Sequence, residues 1–117
     1  MQKPSSSSVE VRFIDLNEVL ADLRRAVAEA KAGHPEIVKV LLFGSLVRGN
    51  WTADSDADLV VVVEKEFPDF LGSRTPYQIF AKSVPTDSLV YSMREFEKLA
   101  NDPTSFLAQN LPNAIAL

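Results

Sequence analysis

Two aspartates spaced two residues apart open an apolar run in the middle of this 117-residue chain. Asp56 and Asp58 stand at the start of a valine-rich segment that continues to Val63. Side chains two apart on a strand point to the same face, roughly 7 Å apart at the backbone. Two carboxylates in that position repel each other unless a cation joins them, and magnesium prefers oxygen ligands of this kind. The pair therefore predicts a divalent-metal site.

A glycine and a serine end the preceding apolar run, which extends from Val38 to Phe43. Gly44 allows backbone to approach a ligand closely, and the hydroxyl and amide of Ser45 can donate to phosphate oxygens. Arg48 either contacts phosphate or lies near the aspartates and balances their charge. Since an acidic chain needs a metal bridge to hold an anionic nucleotide, the combination indicates a metal-dependent nucleotide site.

Three other ligand-binding motifs fail on the same segment. Residues 44–49 have the glycine spacing of a P-loop, but Asn50 and Trp51 stand where lysine and serine or threonine are required. The neighbouring aspartates imitate the start of a calcium-binding EF-hand loop, but Leu59 takes the glycine position and Lys65 the bidentate glutamate position. A dinucleotide-binding fingerprint needs a third close glycine, which the sequence lacks.

The pattern resembles instead the nucleotidyltransferase superfamily typified by DNA polymerase beta, in which a strand, Gly-Ser, a spacer and Asp-x-Asp precede another strand. Within it, Gly-Ser-x-x-Arg-Gly and Ser-Asp-x-Asp-Leu look like the minimal nucleotidyltransferases. Those are small prokaryotic proteins, often encoded beside a helical HEPN-type toxin for which they act as the antitoxin. The resemblance covers the chain from about Asp15 to Leu117.

The family has a third carboxylate on a following strand, and Asp87 is the candidate here. Glu64 shares a strand face with Asp58, but it lies six residues further along, about 20 Å away. Ser88 departs from the family pattern, which usually has an apolar residue at that position.

The resemblance implies transfer of AMP from ATP to an acceptor hydroxyl, with release of pyrophosphate. It places two Mg²⁺ ions on Asp56 and Asp58, with Asp87 on the ion nearest the acceptor, and the β and γ phosphates on Gly44 and Ser45. The implied acceptor is a residue of a HEPN-type toxin. Two alternatives stay open: a non-catalytic module that blocks its partner by contact, and a transferase acting on a small molecule such as an aminoglycoside.

The composition of the chain argues against several other kinds of protein. A formal net charge of −4 argues against direct binding of nucleic-acid backbone. No cysteine is present, and neither a signal-peptide core nor a membrane span is visible, so we expect a cytoplasmic protein. A hetero-oligomer or a homodimer would cover the open cleft of so small a domain.

The periodicity predicts a small α/β (α+β) domain with a mixed sheet flanked by helices. Residues 1–10 are expected to form a disordered tail and residues 11–117 a single domain. The expected helices cover residues 15–32, 75–78, 93–100 and a segment restarting at 102–103 and ending at Pro112. Their expected N-terminal caps are Asp15 with Glu18, Thr75 with Gln78, and Ser92 with Glu95, and Gly33 is expected to stop the first helix. The expected strands cover residues 38–43, 58–63, 86–91 and 114–117, and the valines at both parities in the second strand predict that both of its faces are covered.

Overall fold

The structure, a computed structural model, describes residues 15–48, 56–70 and 72–117. Within these ranges the α-helices are α1 (Leu16–Gly33), α2 (Ser45–Arg48), α3 (Met93–Ala100) and α4 (Phe106–Asn110). The strands are β1 (Ile37–Phe43), β2 (Ala57–Val63), β3 (Thr86–Ser92) and β4 (Ile115–Ala116). Short 3₁₀ turns occupy Thr75–Tyr77 and Leu111–Asn113.

The four strands form one mixed sheet in the order β3-β2-β1-β4. Strand β1 is antiparallel to both β2 and β4, whereas β2 and β3 are parallel. Helices lie on both faces of the sheet, so the predicted fold class is confirmed.

Apart from Lys39 and Asp58, strands β1 and β2 consist of apolar residues, because most of both faces of these two strands is covered. On one face, Leu42, Leu59 and Val61 pack with residues of α1, including Leu23. On the other face, Val60 and Val62 pack with Leu107 of α4 and with partly buried residues of α3. The alternation along β2 therefore assigns each of its apolar residues to one of two cores.

Helix α1 begins and ends close to its predicted bounds. The Asp15 side chain accepts a hydrogen bond from the Asn17 amide at 2.9 Å, and Glu18 lies in the first turn. Gly33 is the last helical residue rather than the residue after the end, and His34 occupies the C-cap position.

Two expectations about the second half of the chain need correction. The last helix begins at Phe106, not at residues 102–103, because the Asp102 side chain accepts from Thr104 and holds a turn there. Ser105 is the residue that caps the helix, accepting from the Ala108 amide at 3.0 Å. Around Pro76 the chain forms a 3₁₀ turn with Arg74 at its N-cap and no side-chain cap, so Thr75 does not have the expected capping role.

The remaining expectations on elements agree with the structure. Ser92 and Glu95 form a reciprocal capping box at the start of α3, and β4 is the expected short edge strand. Helix α2, one turn that follows Gly44, was not among the elements expected from the sequence. The expected tail at residues 1–10 lies outside the described residues. None of the described helices is long and apolar enough to cross a membrane.

Candidate functional site

Asp58 lies between two strands that hold it in register with Asp87. It pairs with Asp87 on the parallel strand β3 and with Phe43 on the antiparallel strand β1. Residues directly opposite each other share a face, and neighbouring strands are about 4.8 Å apart. Asp58 is half-buried and Asp87 is exposed. The sheet thus brings together two carboxylates that are 29 residues apart in sequence.

Asp56 directly precedes β2 and is exposed. Ala57 stands between the two aspartates, is fully buried, and belongs to the core on the α1 side. Its amide donates to the carbonyl of Pro85 at 2.8 Å, which ties the start of β2 to the residue before β3. The alternation of side chains along a strand directs Asp56 and Asp58 to the face opposite α1.

Gly44 is required by its contact with Asp58. Its φ of +94° lies in the region that L-residues rarely adopt. A Cβ added there would overlap Asp58 Oδ2 and would stand 3.2 Å from Asp58 Cγ. The space left by the missing side chain is filled by the carboxylate, so the glycine and the aspartate form one unit of the site.

Helix α2 starts immediately after this glycine. The Val47 amide donates to the Gly44 carbonyl at 3.1 Å, which turns the chain directly from β1 into the helix. Ser45 and Arg48 are the first and last residues of α2, and Ser45 directly follows the glycine that contacts Asp58. The phosphate-binding roles of the two side chains stay predictions. Trp51 lies outside the described residues.

Strand β3 is an edge strand, and its outer edge is fastened by side chains of the preceding segment. Gln78 Nε2 donates to the Ser88 carbonyl at 3.1 Å, and Arg74 donates to the Val90 carbonyl at 2.7 Å. The Ser88 hydroxyl is buried and accepts from the Ile79 amide at 3.1 Å. This contact explains a serine where the related pattern has an apolar residue, and it fixes the strand that carries Asp87.

The side chains at the end of the sheet where Asp58 lies beside Asp87 are of the type that binds a divalent cation, although they do not converge on one point. Among the described residues, no three His, Cys, Asp or Glu side chains lie close enough together to hold a metal ion as they stand. Asp56, Asp58 and Asp87 nevertheless offer only carboxylate oxygens on one sheet end, the donors that Mg²⁺ takes. Glu64 lies at the other end of β2, where its amide donates to the Glu36 carbonyl.

A small cleft adjoins Gly44 at the end of β1. It is lined by Phe43, Gly44, Val47, Asn110 and Asn113. Reading the sequence did not single out the two asparagines, because only the pairing of β4 with β1 brings the end of the chain back to the Gly44 turn.

Comparisons with known proteins identify the family and a similar fold. The family model for the nucleotidyltransferase domain matches residues 20–106, which include the Gly-Ser turn and all three aspartates. A similar fold occurs in the crystal structure of a protein from Sulfolobus solfataricus assigned as a nucleotidyltransferase. That similarity has a TM-score of 0.59 and 17% sequence identity, and it covers 86% of this chain and 80% of the other. No curated protein matches the sequence.

The family match over residues 20–106 supports nucleotidyl transfer as the general activity. The chain belongs to the nucleotidyltransferase domain family.

Proposed function

We propose that this protein transfers AMP from magnesium-bound ATP to a hydroxyl group of a protein partner. The observation that carries the proposal is the register that sets Asp58 beside Asp87, next to a glycine whose missing side chain makes room for Asp58. Family membership supports nucleotidyl transfer in general, and the acidic corner of the sheet supports the metal-bound form of the nucleotide.

The three aspartates divide the work by position. Asp56 and Asp58, two apart at the start of β2, hold the metal-bound triphosphate. Asp87 comes from the neighbouring strand and therefore faces the side where the acceptor arrives. Mg²⁺, when bound, neutralises charge on the triphosphate and lowers the pKa of the attacking hydroxyl.

The reaction breaks one bond and forms one bond at the α-phosphorus. The acceptor oxygen bonds to that phosphorus, and the bond to the oxygen bridging to the β-phosphate breaks, so pyrophosphate leaves. The proton of the acceptor hydroxyl passes to Asp87, the exposed carboxylate on that side. The Gly44 turn and the start of α2 hold the β and γ phosphates by backbone amides.

The proposed partner is a HEPN-type helical toxin, which the transferase would neutralise as its antitoxin by adenylylating a hydroxyl side chain. The described domain consists of one sheet with a helix layer on each face, and Asp56 and Asp87 are exposed at one end of the sheet. A partner that covers this end would bring its hydroxyl to Asp87.

The first experiment tests whether nucleotide binding depends on the metal. Mg–ATP should raise the melting temperature, because a ligand that binds only the native state stabilises it, whereas ATP with excess chelator should not. The double variant Asp56→Asn plus Asp58→Asn should stay folded and lose the shift. Asp69→Asn plus Glu97→Gln removes the same two charges from exposed positions elsewhere and should keep the shift.

The second experiment tests the transfer itself. ATP labelled on the α-phosphate is incubated with Mg²⁺, the protein and the product of the adjacent gene. Label should move to the partner with the wild type and with the control pair, and not with the Asp56/Asp58 double variant. If the double variant still neutralises the partner in cells at normal expression, neutralisation occurs by contact rather than by transfer.

A further inference from the structure

The start of strand β3 is held on both of its edges, although only one edge has a neighbouring strand. On the inner edge it pairs with β2. On the outer edge the backbone of Ile79 takes the place of a further strand: its amide donates to the Ser88 hydroxyl at 3.1 Å, and its carbonyl accepts from the Thr86 hydroxyl. These two hydrogen bonds lie on either side of Asp87, the residue between Thr86 and Ser88.

Ile79 is itself fixed, because its side chain and the segment that follows it are both fastened. The side chain is 2% exposed and belongs to the core on the α1 side, as does that of Val84. Between these two residues, the amides of Lys82 and Ser83 donate to one carboxylate oxygen of Asp22 in α1, at 2.9 and 2.7 Å. The bonds from Ile79 to β3 therefore tie the start of this strand to the core and to α1.

Asp87 depends on this backbone for its position. Side chains alternate along a strand, so Asp87 shares a face with Asp58 while its two neighbours point to the α1 side. Within the ranges that the structure describes, no group donates a hydrogen bond to the Asp87 carboxylate. The course of β3 alone therefore determines where this carboxylate stands relative to Asp58.

We propose that Thr86 and Ser88 are positioning residues for transfer: by fastening the outer edge of β3 they hold Asp87 at the distance from Asp58 that the reaction needs. This inference rests on the proposed function, in which Asp87 takes the proton of the acceptor hydroxyl. Both residues point away from the carboxylates, so they should affect the rate of transfer and not the binding of Mg–ATP by the aspartates of β2. A displacement of about 1 Å, caused by a mutation away from the chemistry, can reduce a rate by about a hundredfold.

Strand β3 offers a matched pair of variants. Ser88→Ala and Ser92→Ala remove the same hydroxyl from buried positions on one face of the strand, and each hydroxyl accepts from one backbone amide at 3.1 Å. Both variants should lower the melting temperature by on the order of 5 °C, the scale of one lost hydrogen bond in a domain of this size. Ser88 adjoins Asp87, whereas Ser92 is the last residue of the strand. The pair therefore separates an effect on the position of Asp87 from a loss of stability.

The test measures transfer of α-phosphate label from ATP to the partner protein, well below the melting temperature of each variant. Ser88→Ala should reduce kcat by about ten- to hundredfold and leave KM for Mg–ATP within about twofold, whereas Ser92→Ala should keep both within about twofold. Thr86→Val removes the donor at similar size and should behave as Ser88→Ala does. Thr86→Ser keeps the hydroxyl, so its kcat should stay within about threefold of the wild type.

Hydrogen exchange provides a readout that does not need activity. The Ser88 and Val90 carbonyls face the outer edge, so the amide of Leu89 between them points to β2. Its exchange should become about tenfold faster in Ser88→Ala than in Ser92→Ala. Equal kcat in the two serine variants, a matching loss of Mg–ATP affinity in Ser88→Ala, or equal exchange at Leu89 overturns the inference and leaves the proposed function standing. A wild type that transfers no label overturns both.

Discussion

Replacing Gly44 with alanine should displace the Asp58 carboxylate and so reduce both stability and activity. Gly72→Ala is the matched control. Both glycines have positive φ, +94° and +87°, so alanine at either position costs about 1–3 kcal/mol of backbone strain. Reduced freedom of the unfolded chain returns about 0.4–1 kcal/mol in each case. At Gly72 the nearest atom to an added Cβ is Thr75 Oγ1 at 3.8 Å, so strain is the whole effect.

At Gly44 the added Cβ also overlaps the Asp58 carboxylate. Forcing a side chain out of a packed position costs a further ~1–3 kcal/mol. Gly44→Ala should therefore reduce the free energy of unfolding by about 1–3 kcal/mol more than Gly72→Ala does. Because Asp58 is displaced, transfer should fall by about a hundredfold or more in the folded Gly44 variant and by less than a few fold in the Gly72 variant.

The assay is a double-mutant cycle measured by urea unfolding. Asp58→Ala removes the atoms that the new Cβ would meet, so the cost of Gly44→Ala should shrink by about 1–3 kcal/mol in that background. The cost of Gly72→Ala should be the same with or without Asp58→Ala. Equal costs of Gly44→Ala in both backgrounds would refute the argument that the glycine exists to accommodate this carboxylate.

Two further predictions concern single carboxylates. Asp87→Asn should change stability by less than about 0.5 kcal/mol because the residue is exposed, keep Mg–ATP affinity within a few fold, and reduce transfer by about a hundredfold. Near-normal transfer, with Asp69→Asn as the control, would remove Asp87 from the site.

Hydrogen bonds from Arg74 lower the pKa of Glu95 to about 2. A lowered pKa stabilises the fold above the ordinary value near 4.5, and that contribution disappears as the pH falls from there towards 2. Glu95→Gln keeps an acceptor for the capping box and should lose this part of the pH dependence in urea melts. The Arg74–Glu95 pair is half-exposed, so the difference in the free energy of unfolding between the wild type and Glu95→Gln should not exceed about 1 kcal/mol. The control variant Glu97→Gln should behave as the wild type. Equal acid sensitivity of the two variants would contradict the assignment of this pH dependence to Glu95.

The sequence by itself determined the family and the main elements. The Gly-Ser turn and the Asp-x-Asp pair are local patterns, and local patterns fix local geometry: Asp56 and Asp58 must share a strand face whatever surrounds them. The unbroken run of valines likewise predicted β2 as a strand covered on both faces, and the capping box marked the start of α3.

Tertiary structure decided what is non-local. The parallel register that aligns Asp58 with Asp87 depends on how β3 is fastened by Arg74, Gln78 and the Ser88 hydroxyl, none of which any short sequence window reveals. Gly44 lies in a local turn, but the residue whose contact requires a glycine there, Asp58, is fourteen residues further along the chain. Asn113 lies near the same turn only because β4 pairs with β1. Strand pairing joins residues that are far apart in sequence, so no local pattern of residues predicts which ones meet.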